Sequence, residues 1–217
     1  MKLEQMNRYQ AFGSHLLISL VIFAVILICI TQYWYPGFLF DTGNGLKAIG
    51  LIVGIDLVLG PLLTLLVFNP QKSSLKFDLS IIAAVQIAAL TYGTWTIYST
   101  HPVALAFVNN HFVTLYNNAE LTKEIKPLIE KLGTNQLFYD FDAVPQSQGL
   151  NPDGFKPYQP HASTIINMTS PYFIKIDGTT YVNIDPLAGA KRFLVLDDAG
   201  NIQSFASQLP NNQPTEN

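Results

Sequence analysis

Three apolar runs, separated by short polar segments, occupy the first 99 residues of the chain. The runs cover residues 16–35, 48–68 and 79–99. Each has roughly 20 residues, which at a rise of about 1.5 Å per residue spans the roughly 30 Å hydrocarbon core of a bilayer. The pattern predicts a membrane protein whose first domain, residues 1–99, is a bundle of three transmembrane helices.

After residue 100 the pattern changes to short β-rich runs joined by turn residues. Asn109-Asn110 and Asp177-Gly178 suit tight hairpin turns, because these residues tolerate positive φ. Each pair lies between two runs that are rich in β-branched and aromatic residues. The predicted hairpins pair 103–108 with 111–116, 172–176 with 179–184, and 191–196 with 201–205.

One helix completes the second predicted domain. Apolar residues at helical spacing over 119–132 predict an amphipathic helix that ends at Gly133. The domain is therefore predicted to be α+β, with an antiparallel sheet and one helix, over residues 100–208. Residues 143–160 are rich in Pro and Gly and predict a long loop, and the tail 209–217 is predicted to be disordered.

Basic residues are distributed unevenly around the apolar runs. Lys2 and Arg8 precede the first run, Lys72 and Lys76 lie between the second and third, and Lys47 alone lies between the first and second. An excess of Lys and Arg marks the cytoplasmic side of a membrane protein. We therefore predict a multi-pass protein with a cytoplasmic N-terminus and its second domain on the other side of the membrane.

Composition narrows the possible functions. The chain is 49% hydrophobic and 12% charged, with a net charge of −3, which gives no reason to expect nucleic-acid binding. The single cysteine, Cys29, excludes an internal disulfide. His101, His111 and His161 lack the spacing of metal ligands, and the sequence contains no phosphate-binding loop or catalytic motif. We predict no metal, no cofactor and no enzymatic activity.

Asp56 is the most informative residue, because it lies inside an apolar run that is otherwise uncharged. A carboxylate at membrane depth costs a few kcal/mol or more and is rarely left without a partner or a role. Gly60 and Thr64 follow at intervals of four and share its helix face. Pro61 has no N–H to donate, so a kink is predicted just beside Asp56.

Three roles for Asp56 remain open. It could bond Tyr92 or Thr91 of the third run, which lie at a similar depth, and hold the bundle together. It could instead meet a polar or cationic group on a helix of another protein, or line a proton or ion path. Gln86, deeper in the third run, is expected to bond a neighbouring helix.

Two longer stretches carry a family resemblance. Residues Gly54–Pro70 (GIDLVLGPLLTLLVFNP) and Asp78–Gly93 (DLSIIAAVQIAALTYG), followed by His101-Pro102-Val103, resemble the type IV pilin accessory proteins of the TfpX/TfpZ (FimB-like) family. The resemblance covers roughly residues 7–116. It implies a Gram-negative inner-membrane protein with a periplasmic C-terminal domain, a role in accumulation or assembly of the major pilin, and no enzymatic activity. The signature positions would be Asp56, Gly60, Pro61, Asn69, Pro70, Asp78, Gln86 and Gly93.

The resemblance and the residue patterns lead to one hypothesis, in which the protein holds the major pilin before or during pilus assembly in a chaperone-like way. A type IV pilin has a long apolar helix and a globular head outside the membrane. The head would meet Asn109, Asn110 and His111, the sheet edge 103–116 or the loop 143–160. The inner-membrane pilus assembly machinery and membrane lipid are further expected partners. The expected contacts with the pilin helix are Asp56, Gly60, Pro61, Thr64, Gln86, Tyr92 and Gly93.

A different class of function remains as the alternative. A membrane-tethered sensor would bind a small ligand in its periplasmic domain and would need a pocket lined by Tyr and Phe. It would also need a cytoplasmic output, for which the predicted cytoplasmic segments are short. A pilin-modifying enzyme ranks third, because it would need a convergent polar cluster that the sequence does not show.

Overall fold

The computed structural model describes residues 6–42, 45–143, 150–168, 170–185 and 192–210. The chain divides into two compact units. The helical unit comprises residues 1–37 and 44–100, and the sheet unit comprises residues 38–43 and 101–217. Residues 211–217 of the predicted tail and 144–149 of the predicted loop lie outside the described residues.

The first helix of the helical unit, α1 (Arg8–Ile28), begins at a capping box. Asn7 accepts a hydrogen bond from the backbone N–H of Gln10 at 2.8 Å, and the side chain of Gln10 accepts one from the backbone N–H of Asn7 at 3.0 Å. The exchange satisfies two N–H groups that the helix itself leaves unpaired. The first helix continues as a π-helical segment, Cys29–Trp34, and the single turn α2 (Leu39–Thr42) follows in the sheet unit.

The second helix is interrupted. Its consecutive pieces are α3 (Gly45–Ile52), a π-helical segment (Val53–Leu59) and α4 (Gly60–Val67), of 8, 7 and 8 residues. The π-helical segment ends two residues before Pro61, which has no N–H with which to complete an α-helical ladder. The sequence predicts an interruption of the helix beside Asp56 on account of Pro61. The π-helical segment is that interruption.

The prediction of three transmembrane spans is shown only in part. Among the described residues, two helices are long and apolar enough to cross a membrane, Arg8–Trp34 and α5 (Leu75–Ser99). The predicted span 48–68 is not found as a third helix of that length among the described residues. The apolar helix Val53–Val67 is shorter than the other two.

Large apolar side chains cover much of the outside of the first helix and α5. Leu17 and Val21 are 65% and 60% exposed, and Val85 and Ile87 are 63% and 65% exposed. An apolar surface of this extent is typical of a membrane or partner interface rather than of a helix packed in a soluble core.

Eight strands are described in the sheet unit, in two four-stranded sheets. They are β1 (Pro102–Val108), β2 (His111–Tyr116), β3 (Gln136–Tyr139), β4 (Phe155–Pro157), β5 (Phe173–Ile176), β6 (Thr179–Asn183), β7 (Phe193–Leu196) and β8 (Ile202–Ala206). The first sheet has the order β2-β1-β3-β4 and the second β5-β6-β7-β8.

The prediction of one antiparallel sheet is confirmed only in part, because five of the described strand pairs are antiparallel but two features differ. The unit has two sheets, and β3 runs parallel to β1 in the first of them. The parallel pair arises because β2 ends beside the start of β1, and α6 (Glu120–Leu132) then takes the chain across to the other edge of β1, where β3 begins. A second, shorter helix, α7 (Ala162–Ile166), was not predicted.

The three predicted hairpins are confirmed. β1 pairs with β2, β5 with β6 and β7 with β8, all antiparallel. Asn109 and Asn110 have φ of 49° and 64°, and Asp177 and Gly178 have 49° and 79°. Positive φ at both central residues is the geometry of the turn that matches strand twist.

Two apolar clusters form the core of the sheet unit. One lies between α6 and the first sheet, where Ile125 and Leu137 are fully buried. The other joins the second sheet to α7 and β2, around Tyr158, Ile165 and Leu194. The described part of the predicted loop 143–160 belongs to this fold, because β4 pairs with β3.

Asp185 covers part of the edge of β2. Its backbone N–H donates to the carbonyl of Phe112 at 2.9 Å, and its carboxylate accepts from the backbone N–H of Thr114 at 2.7 Å. Arg192 lies 3.5 Å from the same carboxylate. The sheet edge considered above as a contact for the pilin head is therefore partly occupied by the protein's own chain.

The turn α2 is part of the core of the sheet unit, although it lies between the first and second helices in sequence. Leu39 is 2% exposed. The ring of Phe38 stacks on that of Phe205 with 6.1 Å between centroids. The connection between two helices of one unit thus contributes buried surface to the other unit.

Substitution of two turn glycines tests the packing of the second core. Gly178 and Gly200 both have positive φ, but only a Cβ at Gly200 would overlap the backbone carbonyl of Ala162. Gly178→Ala should lower the free energy of unfolding by about 1 kcal/mol through its backbone alone. Gly200→Ala should lower the free energy of unfolding by about 1–3 kcal/mol more, because the added Cβ overpacks the core. Urea unfolding of the intact protein in micelles, followed by near-UV circular dichroism, measures both, and equal costs would contradict the described packing.

Candidate functional site

A groove of about 540 Å³ lies within the helical unit, and we call it the central groove. The first helix and α5 form its walls, and the second helix contributes Asp56, Thr64 and Phe68. Its lining is mostly apolar, with a small number of polar side chains. The wall residues are Met6, Ala11, Ser14, His15, Ile18, Ser19 and Ile22 from the first helix and the residues before it, and Leu79, Ile82, Ala83, Gln86, Ile87 and Leu90 from α5.

Asp56 is buried at the central groove, and its polar contacts come from the first helix. Its side chain is 4% exposed. The hydroxyl of Ser19 donates a hydrogen bond to its carboxylate, and His15 is close enough to interact electrostatically. The second carboxylate oxygen, Oδ2, has no hydrogen-bond partner within the described chain. Asp56 therefore has an unpaired acceptor, buried beside a groove whose lining is mostly apolar.

A second polar contact joins the same two helices. Nδ1 of His15 lies 2.6 Å from Oγ1 of Thr64, which is 4% exposed. With the bond between Ser19 and Asp56, this contact ties the first helix to the second along one side of the groove. Hydrogen bonds between helices are a common means of fixing helix packing in membranes.

Gln86 lies on the opposite wall, against the second helix. Its amide group packs so closely on Gly60 that a Cβ at that position would overlap it. Nε2 of Gln86 is buried and has no acceptor among the described residues. The central groove thus contains an unpaired donor as well as an unpaired acceptor.

The structure brings together some of the predicted helix-contact residues and separates others. Asp56, Thr64 and Gln86 line the central groove, with Gly60 beneath Gln86. Pro61 is buried beside them, and Gly93 is buried farther along α5. Tyr92 is 73% exposed and does not line the groove.

Of the three roles left open for Asp56, the bond to Tyr92 or Thr91 is not observed, because the hydrogen bond to its carboxylate comes from Ser19 on the first helix. Similar depth in the membrane does not fix which helix face turns toward the carboxylate. His15 and Ser19 were missed. Their signal in the sequence is a pair of polar residues four positions apart, on one helix face, at the start of the first apolar run.

The first hairpin of the sheet unit is fixed in place by the segment after α7. The hydroxyl of Ser170 donates to the carbonyl of Asn110 at 2.6 Å. His111 is 8% exposed, and its ring contacts that of Tyr172 with 5.3 Å between centroids. Asn109 and Asn110 remain exposed at the tip, whereas the His111 side chain is largely inside the unit.

A smaller cleft of about 240 Å³ lies beside this hairpin. Asp140 and Asp142 contribute to it, and Lys156 donates to Asp140 at 2.5 Å. That hydrogen bond holds the pKa of Asp140 below its ordinary value. Across the part of the chain that the structure describes, no three His, Cys, Asp or Glu residues are grouped so as to hold a metal ion.

Comparison with known proteins identifies the class. The chain is 39% identical over 97 residues to the fimbrial assembly protein of serogroups C1 and C2 of Dichelobacter nodosus, which is 44% of this chain and 74% of that protein. It is also 39% identical over 97 residues to the serogroup I protein of the same organism. Its identity to the serogroup E1 protein is 38% over 97 residues. The match covers 38% of the length of each of the latter two.

The chain therefore belongs to the family of fimbrial assembly proteins, and the resemblance to type IV pilus accessory proteins is confirmed. No family model matches the chain. No solved structure matches it either.

A double-mutant cycle tests the contact between the first and second helices. We expect His15→Leu and Thr64→Val to be coupled by about 0.6 kcal/mol, with an upper bound of about 1.7 kcal/mol, as for other hydrogen bonds between membrane helices. Denaturation in mixed micelles measures the free energy. His15→Leu combined with Thr91→Val is the control, since Thr91 does not line the central groove, and should be additive. Additivity in both pairs would contradict the contact.

The pH dependence of the sheet unit follows from two carboxylates. Hydrogen bonds from Asn201 lower the pKa of Asp197, as Lys156 lowers that of Asp140. Because both folded values lie below the unfolded value of about 3.9, the stability they contribute is present above about pH 4 and is lost as the pH falls through the folded values. As the pH is lowered, the urea concentration at the unfolding midpoint should fall less in Asp197→Asn than in the unsubstituted protein. Parallel curves would contradict this assignment.

Proposed function

We propose that this protein is a non-enzymatic accessory protein for type IV pili, which holds the major pilin subunit in the bacterial inner membrane before or during pilus assembly. The names of its relatives in Dichelobacter nodosus support a role in fimbrial assembly. The central groove supports the more specific role of holding a helix.

The central groove has the form of a missing helix in a bundle. Two walls from different helices face each other across it, and their lining is apolar. From Leu79 to Leu90 the wall on α5 is roughly 16 Å long, or about three helical turns. Ala11 and Ala83 on the two walls are small, which permits close approach of another helix backbone. The apolar helix of a pilin matches this surface in both shape and chemistry.

The distribution of charge supports the proposed orientation. Ala11, Phe68 and Leu75 pack in one cluster, so the start of the first helix, the end of the second and the start of α5 lie together. Arg8, Lys72 and Lys76 belong to this end. The positive-inside rule makes it the cytoplasmic end.

In this arrangement the interrupted second helix would also cross the membrane. The rings of Trp34 and Tyr98 contact at 5.5 Å, so the far ends of the first helix and α5 also lie together. The second helix would have to return the chain from that end to the cytoplasmic end. The sheet unit would then be periplasmic, and Asn109 and Asn110 would be available to the pilin head.

The alternative of a periplasmic ligand sensor has less support. Pockets for small ligands are usually about 300–1,000 Å³, and the cleft beside the first hairpin is about 240 Å³. Its polar residues include an aspartate that is already paired with Lys156. The central groove, with unpaired polar atoms in apolar surroundings, is the more plausible place for a partner.

Site-specific photo-crosslinking in piliated cells tests the proposal. A photoreactive residue at Ile18 or Ile87, on opposite walls of the groove, should yield an adduct with the major pilin. Val85 is the matched control, because it lies on the same helix as Ile87 and is 63% exposed against 65%, but does not line the groove.

The outcomes distinguish holding of the pilin in the central groove from contact with the assembly machinery. A pilin adduct from both walls but not from Val85 is the expected result. Absence of a pilin adduct at both positions, in cells that require the protein for piliation, would contradict holding in the groove. The contact would then have to be sought with the assembly machinery.

A further inference from the structure

Two buried polar atoms of the central groove have no partner within the described chain. They are Oδ2 of Asp56, an acceptor, and Nε2 of Gln86, a donor. Both residues line the groove. Both atoms are already out of contact with water, so each is a buried polar group left unpaired, and a partner that bonded them would remove that cost.

The residues that carry the two atoms meet within about one turn of the second helix. The Gln86 amide rests on Gly60, which follows Asp56 by four residues and therefore by about one helical turn, or roughly 6 Å along the axis. A hydrogen bond reaches about 3 Å between heavy atoms. One polar group between Asp56 and Gln86 is therefore the simplest way to pair both atoms.

The required group must accept a hydrogen bond as well as donate one. A lysine or arginine could satisfy Asp56, but it has no acceptor for Gln86 and would face another donor. Ser19 and His15 already offset part of the charge of Asp56. A hydroxyl, a carboxamide or an uncharged carboxylic acid has both a donor and an acceptor.

We propose that the pilin helix held in the central groove presents one uncharged side chain with both a donor and an acceptor to Asp56 and Gln86, and that this pair fixes the depth of the helix. The proposal rests on the proposed function, since it names the polar group on the same bound helix. Apolar walls bind many apolar helices alike, whereas a donor and an acceptor at fixed positions distinguish one register from another.

Crosslinking from Ile87 provides the readout, with Gln86→Leu, Asp56→Asn and Asp56→Leu as the variants. Gln86→Leu should lower the yield of pilin adduct roughly 3- to 10-fold, the usual range for one hydrogen bond. Asp56→Leu should lower it at least as much. Asp56→Asn should lower it less than Asp56→Leu, because a carboxamide oxygen still accepts. Val85→Leu is the control, and immunoblots of membranes correct for the amount of protein inserted.

A second measurement identifies the group on the pilin. Each polar residue of the pilin helix is replaced in turn by leucine, alone and together with Gln86→Leu. One position should lower the yield on its own and have little further effect in the combination, because both changes remove the same bond. This measurement does not depend on Asp56 variants, which could insert poorly.

The results separate the inference from the function beneath it. An adduct that is unchanged in Gln86→Leu, but lost equally in Asp56→Asn and Asp56→Leu, would indicate a cationic group and overturn the inference. An adduct unchanged in all three variants would show that the two atoms recognise nothing, while leaving the holding function intact. Absence of any adduct from the probe at Ile87, when Asp56 and Gln86 are both unsubstituted, would overturn both the inference and the proposed function.

Discussion

The helical unit is organised around a carboxylate that cannot be left alone in apolar surroundings. Asp56 is buried, and the protein supplies it with one hydrogen bond, from Ser19, and with the nearby imidazole of His15. That imidazole in turn contacts Thr64, two turns farther along the second helix. These contacts of one carboxylate oxygen and of the imidazole hold the first helix against the second. The other carboxylate oxygen, Oδ2, is buried without a partner among the described residues.

The break in the second helix belongs to the same arrangement. Pro61 lacks an N–H, and the chain before it adopts a π-helical segment that contains Asp56. π-helical turns inside α-helices often occur at functional sites, because they turn side chains away from the positions that a regular helix would give them. Gly60, just after the segment, has no side chain, and the Gln86 amide uses that space. Three residue types with unusual backbone or charge properties therefore meet within about two turns.

Local features could be predicted from the sequence, and features that depend on distant pairing could not. Asn109-Asn110 and Asp177-Gly178 identify their hairpins because the turn itself requires positive φ. Nothing local indicates that β3 would lie parallel to β1, or that the strands would form two sheets. In the helical unit, the rarity of a charge in an apolar run identified Asp56. The rotation of each helix about its axis decides which residues face it, and similar depth alone does not report that rotation. Depth indicates Tyr92 and Thr91, whereas Ser19 and His15 are the residues that meet Asp56.

The turn α2 has a consequence for how this protein reaches its folded state. Leu39 and Phe38 are synthesised early, yet the ring beneath Phe38 belongs to Phe205, near the other end of the chain. The core of the sheet unit therefore cannot close until the last strand, β8, has been synthesised. Until then Phe38 and Leu39 lack part of the surface against which they are buried in the folded protein. The two ends of the sequence are thus joined in one core, which forms only when the chain is nearly complete.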